Sequence, residues 1–175
     1  MKTLKNYAGM LPAIFILAAG VTAARAQDSD DPFLRADLIS FNQVPSVLTH
    51  SAGRFTAHLN SDQTISFSLS YANMSSPVTQ AHIHFGASAT NGGVMVFLCG
   101  GSKPACPASG TINGTITAAD VSTLPATNGD SVILQGIQPG DFAALLTAIG
   151  SGDTYVNVHT ANFPNGEIRG QVRVP

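Results

Sequence analysis

Along most of the chain, apolar and polar positions alternate with a period of two. In residues 64–71, Ile65, Phe67, Leu69 and Tyr71 fall on one side and Thr64, Ser66, Ser68 and Ser70 on the other, the pattern of a strand buried on one face. Residues 54–60 repeat it. Phe55, Ala57 and Leu59 point one way and Arg54, Thr56 and His58 the other, so the link Ser61-Asp62-Gln63 predicts a paired neighbour. Further strands are expected over 34–41, 79–85, 94–99, 110–117, 131–135, 154–159 and 167–174. Asn91-Gly92-Gly93, Asn128-Gly129 and Asn165-Gly166 supply turns between them. Seven to nine short strands separated in this way predict an all-β fold, an antiparallel β-sandwich or Greek-key-like barrel, with one or two short helices.

The helices are expected late in the chain. Asp141 caps a segment in which Phe142, Leu145, Leu146 and Ile149 recur at helical spacing, with Gly150 as its stop. Thr117-Ala118-Ala119-Asp120 resembles a capping box with Asp in place of Glu or Gln, which predicts only a turn. No repeat of solenoid period is visible.

The first residues follow a different pattern: Lys2 and Lys5, an apolar stretch over 11–24, then Ala24-Arg25-Ala26. Basic, apolar and small residues in that order predict a secretory signal peptide over 1–26, cleaved before Gln27. The apolar run is shorter than the ~20 residues a spanning helix needs. An acidic, aperiodic leader is expected over 27–33 and one β domain over 34–175, since about 150 residues suit a single core. No later apolar run is long enough to span a membrane, so the expected location is secreted, periplasmic or cell-surface. The exported part keeps five basic residues against ten carboxylates, a net charge of −5 that offers nothing to nucleic acid.

Cys99 and Cys106 both lie in the exported part, separated by a flexible Gly-Gly-Ser-Lys-Pro-Ala loop, which predicts a local disulfide. Metal binding is the sharpest chemical signal. In His82-Ile83-His84 the two imidazoles share one strand face while Ile83 takes the other, so both can converge on one ion. His159 lies on the polar side of 154–159 together with Asn157, and is the natural third ligand of a copper or zinc site. Across the Asn165-Gly166 turn, Glu167 is expected opposite His159. It would ligate, orient a histidine, or pair with Arg169 or Arg173, and Asn157 and Arg169 are further candidates for orienting the ligands. The alternative is a hydrogen-bonded histidine layer that only stiffens the fold. His50 and His58 lack comparable context.

Catalytic signatures are missing: there is no G-x-S-x-G, H-E-x-x-H or phosphate-binding glycine loop, and Asp120, Asp130, Asp141 and Asp153 sit where turns and caps use them. Asn73-Met74-Ser75 and Asn113-Gly114-Thr115 match the glycosylation sequon.

Several blocks taken together resemble the CHRD family, the domain named after its repeats in chordin. They are Ala81-His82-Ile83-His84-Phe85-Gly86, Asn91-Gly92-Gly93-Val94, Gly110-Thr111-Ile112-Asn113-Gly114-Thr115-Ile116-Thr117, Tyr155-Val156-Asn157-Val158-His159-Thr160 and Pro164-Asn165-Gly166-Glu167-Ile168-Arg169-Gly170-Gln171. The resemblance runs from about Leu34 to Val174. It implies a secreted or surface β domain whose activity is largely undefined; by analogy with chordin the chain is read as a non-enzymatic binding module with an extracellular protein or cell-surface component as its partner, the alternative being a purely structural secreted domain. A fainter similarity, confined to His82, His84 and His159, is to copper/zinc superoxide dismutase and implies dismutase-like metalloenzyme chemistry. Further histidines and an aspartate for a buried zinc, and an arginine guiding an anionic substrate, are not identifiable in the sequence.

Overall fold

A computed structural model of the protein describes residues 34–174; the expected signal peptide and leader lie outside them. Strand β1 (Leu34–Ile39) turns Leu34, Ala36 and Leu38 inward. It opens an antiparallel meander with β2 (Ala52–Leu59) and β3 (Ile65–Ala72), registered as Phe55 opposite Leu69 and Ala57 opposite Phe67. All four apolar residues expected on the inner side of β3 are buried there; on β2, Phe55 and Ala57 are buried while Leu59 is exposed. Strands β4 (Val78–Phe85) and β5 (Gly93–Cys99) form a hairpin, and β6 (Gly110–Ile116) joins the far side of β3. A second hairpin of β7 (Thr154–Thr160) and β8 (Ile168–Gln171) then lies between β4 and β1.

The resulting order β5-β4-β7-β8-β1-β2-β3-β6 is one antiparallel sheet curled into a nearly closed barrel, the all-β fold expected. The seam lies between β5 and β6, and an unpaired edge there would be an open template for association. Chain from the β6–β7 connection covers it. Ser122 N–H donates to the Met95 carbonyl at 2.7 Å, Val94 N–H to the Asp130 carbonyl at 2.7 Å, and Gly93 N–H to Gln135 Oε1 at 2.5 Å. Cys99, at the end of β5, forms a disulfide with Cys106 on the way to β6, and Lys103 between them pairs with Asp120 at 2.7 Å.

Residues 131–135 are a correction. The sequence predicts a strand; the structure has a 3-10 turn over Val132–Gln135, with Ser131 Oγ accepting from Ile133 N–H. Val132 is buried and Leu134 exposed, but a run this short ends at Gly136, in the left-handed region, before it can pair along its length. The first and last strands are also shorter than expected, because Ser40–Asn42 turns as a 3-10 helix and β8 ends at Gln171. The helix α1 (Phe142–Gly150) forms as expected on its Asp141 cap, although Gly150 is its last residue rather than the residue beyond it. Thr117 and Asp120 make both halves of the capping box around a single 3-10 turn.

One buried carboxylate ties distant parts of the barrel together. Glu167, fully buried, accepts hydrogen bonds from Ser51 Oγ, from Ser75 N–H at 3.0 Å and Oγ at 2.8 Å, and from Thr160 Oγ1 at 2.7 Å. Burial pushes its carboxyl up, but the hydrogen bonds from Ser51, Thr160 and Ser75 outweigh burial and hold it below the ordinary 4.5.

Two expectations follow. Stabilisation from the Glu167 latch is complete above the unfolded-state value of 4.5 and is lost as pH falls through the lower folded-state value. Glu167→Gln should therefore cost about 1–3 kcal/mol near neutrality and flatten the acid limb of a stability–pH curve, read from urea midpoints. Gly170→Ala tests packing. In an ordinary strand this change helps, but here a Cβ would sit 2.8 Å from the Asp37 backbone carbon, so urea midpoints should show a loss of about 1–3 kcal/mol.

Candidate functional site: a buried imidazole cluster

Strand alternation places the histidines, and a second layer of burial makes them unusual. Ala81 and Ile83 of β4 and Val156 and Val158 of β7 belong to the core, which turns His82 and His84, and Tyr155, Asn157 and His159, to the other side of the sheet. That side is not solvent. Every residue of β5 and β7 is buried, as are Ala81 to His84 of β4, and His82, His84 and His159 are 2 %, 6 % and 7 % exposed. In register, His82 stands opposite Asn157 and His84 opposite Tyr155, so His159 is a diagonal neighbour of His82. The ring centroids lie 4.8 Å apart for His82–His159, 5.2 Å for His82–His84 and 6.1 Å for His84–His159.

Hydrogen bonds decide which nitrogens carry protons. A carbonyl can only accept, so His84 Nδ1–H donates to the Gly92 carbonyl and His159 Nδ1–H to the Pro164 carbonyl, both at 2.9 Å. Nε2 of each ring is then a bare lone pair. His82 Nδ1 lies 3.2 Å from His159 Nε2 and donates to it, which leaves His82 Nε2 bare as well. His82 Nε2 and His84 Nε2 are buried without any partner. Such orphans are uncommon and call for a physical explanation.

Burial, and for His82 the neighbouring rings of His159 and His84, push these imidazoles far below the ordinary 6.5, to about 2 for His82 and about 3 for His84. His159 is lowered by the same burial, against the opposing pull of its bond to Pro164. The three rings are therefore neutral at physiological pH, the state in which imidazole ligates a metal. One nitrogen from each can be chosen so that all lie within 4.8 Å of one another, and the residues come from two strands that hold their backbones rigid.

The other residues singled out in the sequence reach the cluster indirectly or not at all. Arg169, 2 % exposed, donates to the carbonyls of Ala87 at 3.2 Å and Thr90 at 2.7 Å, fixing the loop that carries Gly92. Its guanidinium carbon lies 3.4 Å from the centre of the Tyr155 ring, which stacks on His84 at 4.7 Å. Asn157 accepts from Gln43 Nε2 at 2.6 Å. Glu167 is expected opposite His159, but the paired register ends at Val158–Ile168, the Glu167 N–H donates to the Val158 carbonyl at 2.8 Å, and its carboxylate bonds Ser51, Ser75 and Thr160 and no histidine. Its pairing with Arg169 or Arg173 is also absent: among the described residues the ion pairs are Arg35–Asp37, Arg54–Asp37 and Lys103–Asp120. His50 is exposed and His58 half-buried, both outside the cluster.

Sequence reasoning missed Tyr155, Phe97 and the two carbonyl acceptors. Phe97, opposite His82 on β5, meets its ring edge-on at 4.4 Å. Tyr155 was readable from alternation, since it shares a side with Asn157 and His159; the carbonyls of Gly92 and Pro164 depend on loop conformation and left no signal in residue type.

Among the described residues no helix is long and apolar enough to cross a membrane. A search of curated proteins and one of solved structures each returned no match. The family model for the CHRD domain matches residues 34–172, nearly the whole barrel from β1 to just past β8 and both strands that bear the histidines. The protein belongs to the CHRD domain family.

Proposed function

We propose that this CHRD domain is an extracytoplasmic, non-enzymatic binding module that holds a copper or zinc ion through His82, His84 and His159, and that its partner is an extracellular protein or cell-surface component. The observation that carries the metal reading is the pair of buried, partnerless Nε2 atoms of His82 and His84 beside a third imidazole, His159, whose Nε2 accepts only from the His82 ring. A polar layer that served only to stiffen the sheet would satisfy those nitrogens, because burying an unpaired polar atom costs about 1–3 kcal/mol. The donor set is chemically apt, since neutral imidazole suits copper and zinc, and two of the rings are already aimed by Nδ1–H bonds to backbone carbonyls. A bound ion would supply a cationic centre able to polarise a ligand; for copper, also a one-electron couple.

The chain's own residues hold the rings in place. Arg169 fixes the 86–92 loop, Tyr155 backs His84, and Phe97 limits the ring of His82. Binding an ion would break the 3.2 Å hydrogen bond between His82 Nδ1 and His159 Nε2, freeing a lone pair on each ring, and the widest ligand separation of 4.8 Å must contract, which ring rotations can provide. The extracytoplasmic location rests on the Lys2–Ala26 signal pattern and on the Cys99–Cys106 disulfide, a bond that persists in oxidising compartments.

Titration of the purified, metal-free protein with Cu(II) and with Zn(II) should give one bound equivalent of at least one of them. At a free concentration about 100 times Kd, that metal should raise stability by about 2.7 kcal/mol, visible as a higher melting temperature. The double variant His82→Ala/His84→Ala should lose both effects. Equal affinity in the wild type and the double variant would remove the site.

A further inference from the structure

A cavity of about 660 Å³, separate from the imidazole cluster, opens on the outer side of β1 and β8. Alternation on β8 and its continuation sends Ile168 and Val172 to the core and turns Arg169, Gln171 and Arg173 toward this cavity, and β1 adds Arg35 and Asp37. Arg35 and Arg173 stand directly opposite each other and exchange both backbone hydrogen bonds, Arg35 N–H to the Arg173 carbonyl at 2.9 Å and the reverse at 2.8 Å. Like charges directly across a ladder destabilise it, so folding alone does not favour this pair.

The charge distribution is as uneven as the pairing. Residues 34–174 contain five basic side chains and seven carboxylates, yet three of the five basic residues line this one cavity. Among the described residues the only acid lining it, Asp37, is shared between Arg35 at 2.7 Å and Arg54 at 3.0 Å. Among the described residues neither Arg169 nor Arg173 forms an ion pair, although Arg169 is 2 % exposed and a buried cation normally has a carboxylate partner. The wall carries local strain: Ala89 holds φ +60°, a left-handed conformation that a residue with a Cβ adopts at a cost, and such costs gather at ligand sites. At the rim, Phe41 is 59 % exposed beside the exposed amide of Asn42.

We infer that this cavity binds a carboxylate-bearing saccharide, an acidic sugar of one to three units. Guanidinium groups match carboxylates with two parallel hydrogen bonds, and an anion seated between Arg35 and Arg173 converts their repulsion into attraction. The exposed ring of Phe41 offers an apolar face to the C–H side of a sugar, Asn42 and Ser88 offer hydrogen bonds to its hydroxyls, and the volume lies in the range of small-ligand sites. The inference is independent of metal binding.

The test titrates the purified protein with trigalacturonate, with the neutral maltotriose and with sodium sulfate, following heat and NMR shifts. Trigalacturonate should bind, more weakly as salt rises, and Arg173→Ala and Arg35→Ala should each weaken it about tenfold. Arg173→Ala should leave the melting temperature unchanged or raise it, since it relieves the opposed cations. Maltotriose binding as tightly as trigalacturonate, sulfate binding as tightly, or no binding of trigalacturonate would each overturn the inference. So would unchanged affinity in both variants, including the case in which Arg173→Ala lowers the melting temperature and nothing else.

Discussion

Burial of both sheet faces over β4, β5 and β7 is the constraint on which the site depends. A strand solvated on one side can carry histidines there at no cost, protonated or not. Once the second side is covered by the 86–92 loop and the turn after β7, each ring must shed its charge and find a partner for its remaining polar atom. The rings solve the first problem completely and the second only in part, with two Nδ1–H groups satisfied by carbonyls, one by a neighbouring ring, and two Nε2 atoms left bare. The cluster is thus a set of closely packed, uncharged imidazoles, held by strands on which a one-residue slip would send the histidines into the core.

Much of this was legible because period-two alternation is a local property. His82 and His84 share a side for the same reason that Phe67 and Leu69 do, and no knowledge of the sheet order was needed. His159 required one further step, that its strand pair with β4, and only the topology β4-β7-β8 supplies that. Glu167 marks where local reasoning stops. Its place just beyond the Asn165-Gly166 turn is a local feature, but its carboxylate is taken by Ser51 and Ser75, which are more than 90 residues away in the chain. Residues 131–135 failed for a related reason. β-like composition does not make a strand when the segment's polar groups serve to cover the edge of β5.

The seam explains why that segment is spent in this way. An eight-stranded sheet that curls without closing leaves β5 and β6 as edges, and β5 is buried along its whole length. Its outward N–H and C=O groups need partners that β6 does not give, and the 117–135 connection supplies them through Ser122, Asp130 and Gln135. The Lys103–Asp120 pair ties the β5–β6 loop, itself closed by the Cys99–Cys106 disulfide, to the start of the same connection. Phe97 lies on β5 and packs edge-on against His82, with Gly101 of the disulfide-closed loop so near its ring that a Cβ there would clash.

Arg169 joins these features. Its guanidinium lines the cavity between β1 and β8, bonds the 86–92 loop through Ala87 and Thr90, and lies over Tyr155, whose ring stacks on His84. A lysine could supply the charge and donate to two carbonyls, as Arg169 does through Nη2 alone, but not the flat guanidinium face that lies over the Tyr155 ring. Burying this cation without a carboxylate is expensive, and the carbonyl dipoles and the aromatic face recover part of that cost. Arg35 and Arg173, paired across their backbones, line the same cavity. The residue that backs the imidazole layer through Tyr155 thus also lines the cavity beside β1 and β8, so one side chain touches both regions.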